Sequence, residues 1–81
     1  MDDIKTIVRE FLVRDFLVGA DVQLADDTSF MQRHVLDSTG FIELISFVEE
    51  RFGFSVSDAE MLPENFDSLA NIEAYVRRKR G

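Results

Sequence analysis

The sequence predicts an all-α fold, a small bundle of three main helices and one short helix. Three observations predict it. Apolar residues recur at helical spacing in three separate stretches. Only one proline and four glycines interrupt the chain. Residue types that start and stop helices stand at the ends of the apolar stripes.

The first stripe is Ile4, Ile7, Val8, Phe11 and Leu12, with Lys5, Arg9, Glu10 and Arg14 mostly elsewhere on the wheel. It predicts a helix from about Asp2 to Val18. Asp2 and Asp3 suit the positive end of its dipole, and Gly19 is its expected C-cap. Residues 20–36 show no sustained period. Asp21, Asp26, Asp27, Thr28 and Ser29 have turn chemistry, and Leu24, Phe30, Val35 and Leu36 could pin the stretch to a core. A loop of this length in a compact domain is often functional.

A second helix is expected from Asp37 or Ser38 to Phe52. Its inward face is Phe41, Leu44, Ile45, Val48 and Phe52, with Asp37 as N-cap and Gly53 as its stop. Ser57-Asp58-Ala59-Glu60 has the form of a capping box opening a short helix, which Pro63 keeps short. Asp67 or Ser68 should cap the last helix, whose stripe is Leu69, Ile72, Tyr75 and Val76. The basic end of that helix, Arg77-Arg78-Lys79-Arg80, complements the negative pole of its dipole.

Eighty-one residues fit one domain, residues 1–81, with a thin core. The chain has no cysteine and one histidine. Disulfides and thiolate metal sites are thereby excluded, and a protein-only zinc site is implausible. Formal net charge is −7; without the four basic residues of the tail, five basic residues face sixteen acidic ones, a balance of −11. Such a field repels nucleic acid and anionic lipid and favours proteins with basic surfaces. No apolar run approaches the ~18 residues of a membrane helix, and the acidic start is unlike a signal peptide. A cytosolic monomer that binds neither membrane nor nucleic acid is expected.

The segment that carries chemistry is Val35-Leu36-Asp37-Ser38-Thr39-Gly40-Phe41-Ile42-Glu43-Leu44-Ile45. A serine hydroxyl at a helix N-terminus meets unsatisfied N–H groups and the positive dipole end, an environment that favours a phosphate. The hydroxyl alone is a poor nucleophile, so a separate enzyme must activate it. Glu43, Glu49 and Glu50 follow on the outer part of the helix, and Ile42 and Phe47 interrupt that acidic face with apolar area expected to be exposed.

This segment resembles the acyl carrier protein family, which places an Asp-Ser pair at the start of its second helix after a long loop. Phe52-Gly53-Phe54-Ser55-Val56 is similar to the family's turn after that helix. Phe66-Asp67-Ser68-Leu69-Ala70-Asn71-Ile72-Glu73-Ala74-Tyr75-Val76 is similar to its last helix. The resemblance implies that Ser38 carries 4′-phosphopantetheine, donated by coenzyme A through a phosphopantetheinyl transferase, and that Asp37 flanks the attachment point. It implies an acyl or aminoacyl carrier that is not itself an enzyme. Its other partners would be an acyl- or aminoacyl-adenylating ligase or other loading enzyme, and downstream acyl-processing enzymes. Asp37, Glu43, Glu49 and Glu50 would meet basic residues of those partners, and Thr39, Ile42 and Ser46 would line the contact patch. Thr39 and Gly40 depart from the commonest pattern, leucine and then an acidic residue; the Asp-Ser-Thr-Gly form is similar to stand-alone carriers served by adenylating ligases.

Other readings of the same residues are structural. An Asp-Ser pair before a helix is often only a cap, and then the chain would be an acidic interaction module. A second pair, Asp67-Ser68, lies too near the C-terminus to be followed by the rest of a carrier fold, and is expected to be a cap. His34, Asp37 and Ser38 contain the elements of a hydrolase triad, but they are nearly adjacent and lack a nucleophile elbow. Asp26-Asp27-Thr28 lacks the ligand spacing of a calcium loop.

Overall fold

Four α-helices and a single 3₁₀ turn make up the computed structural model, which describes residues 3–16 and 24–80. In chain order they are α1 (Ile4–Asp15), α2 (Ser38–Phe52), the 3₁₀ turn (Asp58–Glu60), α3 (Pro63–Phe66) and α4 (Leu69–Arg80). No strand occurs among the described residues. α4 packs closely on both α1 and α3, and the apolar stripes converge on one core. Val8, Leu12, Leu44, Val48, Leu69, Ile72 and Val76 are wholly shielded from solvent there, and Tyr75 almost so.

α1 begins where Asp3 turns its carboxylate onto the Lys5 N–H (3.2 Å) and the Thr6 hydroxyl (2.6 Å). It ends earlier than the periodicity predicts. Phe16 leaves the helical backbone at φ −124° and sets its ring edge-on against Phe11, with centroids 5.7 Å apart. Gly19, the expected cap, lies outside the described residues, as do Asp2, Val18 and Asp21.

α2 matches its expected span. The Asp37 carboxylate accepts from the Gly40 N–H at 2.7 Å, and Gly53 closes the helix in the left-handed region at φ 79°, where a Cβ would be strained. Leu44, Ile45 and Val48 are buried as expected; Phe41 and Phe52, at the ends of the stripe, are half-buried. Phe41 reaches across to Phe66 edge-on at 6.2 Å.

Between α2 and α4 the expectation needs correction. Ser57 does not form a capping box. The Glu60 N–H donates to the Ser57 carbonyl at 2.9 Å, closing a 3₁₀ turn. The Glu60 carboxylate accepts from the Ser57 hydroxyl at 3.2 Å and, across to α4, from the Tyr75 hydroxyl at 3.0 Å and Lys79 Nζ at 3.2 Å. Those donors, Lys79 first and Tyr75 next, hold the Glu60 carboxyl below its ordinary pKa. The 3₁₀ turn is the expected short helix, with Ser57 at its N-cap position, and it stops before Pro63, which opens the separate α3. At the first helical position proline gives up no hydrogen bond, and its fixed φ suits the helix.

The long loop is held by long-range bonds. Phe30, wholly buried, donates its N–H to the Asp67 carbonyl (2.8 Å), and Ala70 donates to the Asp26 carbonyl (2.8 Å). The Asp67 carboxylate takes the Met31 N–H at 3.0 Å and, very closely, the Ser29 hydroxyl. Leu24, Phe30, Val35 and Leu36 are all buried, so they do pin the loop. Within it, residues 30–35 form a Schellman turn. Val35 N–H donates to Phe30 O (2.8 Å), and His34 N–H to Met31 O (3.2 Å). His34 takes the left-handed position at φ 58°.

Candidate functional site

Ser38 is the first residue of α2, and its side chain is exposed. The reason lies one residue earlier. Asp37 occupies the N-cap and supplies the acceptor the helix start needs, so the Ser38 hydroxyl is not consumed as a cap. The backbone N–H groups of Ser38 and Thr39 belong to the first turn, which has no intrahelical acceptors, and they stay available to an anion outside the helix. Gly40 completes the arrangement. A Cβ there would stand 3.1 Å from both Leu36 Cδ2 and Phe16 Cε1, and 3.3 Å from the Asp37 carboxylate. The departure from an acidic residue at this position thus has a packing basis: the loop and the end of α1 close against bare backbone.

Beside Ser38 lies an open apolar groove of about 310 Å3, lined by Met31, Ser38, Phe41, Ile42, Ile45, Met61 and Pro63. Apart from Ser38 every wall is apolar. Sequence spacing does not point to Met31, Met61 or Pro63, which come from the loop before α2, the loop after it and the start of α3.

The expected contact residues divide into two groups. Thr39, Glu43, Ser46 and Glu50 are exposed, and Ile42 is 61% exposed despite its apolar side chain. Glu49 is different. It is half-buried, and its carboxylate accepts from the Val56 N–H at 2.7 Å, tying the turn after α2 back onto the helix. Phe47 is also not free surface. It stacks on Phe11 with centroids 4.1 Å apart and rings 12° from parallel.

Geometry bears on the two rival serine readings. The Asp37 carboxylate faces the Gly40 N–H rather than His34, and His34 is an exposed turn residue, so no triad is assembled. Ser68 is buried at 6% exposure, with its hydroxyl accepting from the Asn71 N–H at 3.1 Å. It is the N-cap of α4, and Asp67 serves the loop.

Comparison with known proteins agrees with this geometry. The family model described as the phosphopantetheine attachment site matches residues 2–76. The D-alanyl carrier protein of Abiotrophia defectiva is 33% identical over 70 residues, covering 86% of this chain and 84% of that protein. The acyl carrier protein of Chlamydia caviae is 28% identical over 81 residues, covering 99% and 95%. A chain in a structure described as a crystal structure of FAD-dependent dehydrogenase superposes with a TM-score of 0.73 at 26% identity, covering 85% of this chain and 97% of that one.

A small helical fold with an exposed serine at a capped helix start thus defines a carrier domain, and the chain belongs to the phosphopantetheine-binding carrier family. Its function is that of an acyl or aminoacyl carrier, and its cofactor is covalently bound 4′-phosphopantetheine. The residues around Ser38 fit that group: a free hydroxyl, two unsatisfied N–H groups at a helix N-terminus, and an apolar groove beside them.

Proposed function

We propose that Ser38 is the attachment point, and that this protein presents an acyl or aminoacyl group to partner enzymes without catalysing a reaction itself. The observation that carries this reading is the exposure of the Ser38 hydroxyl at the first position of α2 while Asp37 satisfies the helix start.

The attached group supplies the thiol on which cargo is held as a thioester, a thiol that a chain without cysteine does not have. The protein's own residues do the rest. Asp37 keeps the first turn of α2 closed, so Ser38 projects from a fixed backbone. The N–H groups of Ser38 and Thr39, with the positive end of the α2 dipole, stabilise a phosphodiester on that hydroxyl. Phe41, Ile42, Ile45, Met31 and Met61 offer apolar shelter beside it.

Thr39, Ile42, Glu43, Ser46 and Glu50 form the face that partners read, with Asp37 at its edge. Exposed carboxylates around exposed Ile42 suit basic enzyme surfaces. Glu49 contributes its negative charge to the field, but its carboxylate is committed to Val56. The partners are a phosphopantetheinyl transferase, a ligase or other enzyme that loads the thiol, and enzymes that then process the acyl group. We place this cycle in the cytosol. Incubation with coenzyme A and a broad-specificity phosphopantetheinyl transferase should raise the intact mass by one phosphopantetheine unit. An unchanged mass would leave only an acidic interaction module.

A further inference from the structure

Ile42 is a wall of two grooves. One is the apolar groove beside Ser38. The other, about 360 Å3, runs between α1 and α2 on the opposite flank and is lined by Phe11, Asp15, Ile42, Glu43, Ser46, Phe47 and Glu50. Its floor is the stacked Phe11–Phe47 pair, with Ile42 rising at one side. Its rim is acidic. Glu43 and Glu50 are exposed and take no hydrogen bond or ion pair from the described residues, and Asp15 is met only by its exposed neighbour Arg14 at 3.2 Å. By contrast, Asp26 in the loop and Glu73 on α4 are paired with Lys5, Arg9 and Arg77. An apolar floor beside two carboxylates, Glu43 and Glu50, with no partner among the described residues, and a third, Asp15, held only by an exposed arginine, is electrostatically incomplete.

We propose that the α1–α2 groove is a docking cleft for a partner-enzyme segment that presents an apolar side chain between basic ones. The apolar group seats on Phe47 and Ile42, while arginine or lysine side chains reach Asp15 on one rim and Glu43 and Glu50 on the other. This rests on the carrier reading above and deepens it, since the recognition face does not stop at α2 but continues onto α1. Glu50 lies about 18 Å along the helix from Ser38, at ~1.5 Å per residue. A partner held there grips the carrier well away from the attachment point and leaves Ser38 open. Because Ile42 separates the grooves, an occupant of the cleft also presses on the wall of the groove beside Ser38.

The test is an NMR titration of the full chain with a short amidated peptide of arginine, leucine and alanine, its leucines at helical spacing. Amide shifts should cluster at Phe11, Asp15, Ile42, Glu43, Phe47 and Glu50. Asp15→Lys with Glu50→Lys should weaken binding about tenfold, and Ile42→Ser several-fold, with unchanged circular dichroism. Asp27→Lys with Asp58→Lys, the same change in net charge at exposed acids outside the cleft, should change it less than twofold. Equal weakening by both charge-reversed pairs, or shifts clustered elsewhere, would overturn the proposal. The titration needs no attached arm, so its failure is separate from a failure of labelling at Ser38, which is read by mass.

Discussion

Two Asp-Ser pairs begin two helices in this protein, and they do opposite things. In Asp37-Ser38 the aspartate is the cap, and the serine stands exposed at the first helical position. In Asp67-Ser68 the frame is shifted by one residue. There the serine is the cap, buried with its hydroxyl on the Asn71 N–H, and the aspartate reaches back to Ser29 and Met31 in the loop. The dipeptide alone therefore does not mark a modification site. On the proposed reading, what marks it is which of the two residues the helix uses. A helix capped by its aspartate releases a hydroxyl, whereas one capped by its serine consumes it.

The comparison predicts unequal costs. Asp67→Ala should lower stability by about 2–3 kcal/mol, because the Ser29 hydroxyl and the Met31 N–H lose their acceptor and the loop that holds buried Phe30 is freed. Asp37→Ala should cost about 1 kcal/mol, the usual value of a cap. Urea denaturation of both variants checks this. A larger loss for Asp37→Ala would reverse the assignment of structural and functional pair.

A second effect lies on the buried side. Burial first, and the hydrogen bond to Glu60 second, push the Tyr75 hydroxyl up from 10.0 to about 12. Below pH 10 the phenol is protonated in both folded and unfolded chains, and stability is unaffected. Between about 10 and about 12 the unfolded chain releases the proton first, so it binds fewer protons and stability falls. The slope is at most ~1.4 kcal/mol per pH unit. Tyr75 is the only tyrosine, so tyrosinate absorbance reports it alone. Tyr75→Phe should flatten this part of the alkaline stability profile; an unchanged slope would show that α4 does not bury the phenol.

The smallest effect sharpens the account of the loop. His34 sits where a Schellman turn favours glycine, at φ 58°. His34→Gly should raise stability by about 0.5–1 kcal/mol, as the left-handed strain on a Cβ is relieved. A fall in melting temperature would mean that the imidazole has a structural contact.

Local signals explain what could be read from the sequence and what could not. The span of α2, its Asp37 cap, its Gly53 stop and the buried stripes of α1, α2 and α4 all depend on residues a few positions apart, where periodicity and capping rules operate. The Asp67 bonds to Ser29 and Met31 join residues distant in the chain, and no local pattern announces them. Glu49 reads as one more surface acid until the fold brings Val56 over it. Phe47 reads as exposed until Phe11 is placed beneath it. Pro63 limits the helix before it, because a proline breaks a helix interior, and the 3₁₀ turn does stop at Glu60; that the same chemistry makes it the first residue of α3 is not signalled locally. The exposure of Ser38 was legible because it follows from the adjacent cap. The apolar groove beside it was not, because Met31 and Met61 arrive from different loops.

The most direct measurement of the central claim compares Ser38→Ala and Ser68→Ala for transfer of phosphopantetheine from coenzyme A, read by intact mass with circular dichroism confirming that each variant is folded. Ser38→Ala should take up no phosphopantetheine. Ser68→Ala, though less stable by about 1 kcal/mol from the lost cap, should still gain the full mass. Labelling that persists in Ser38→Ala, or disappears in folded Ser68→Ala, would contradict the account.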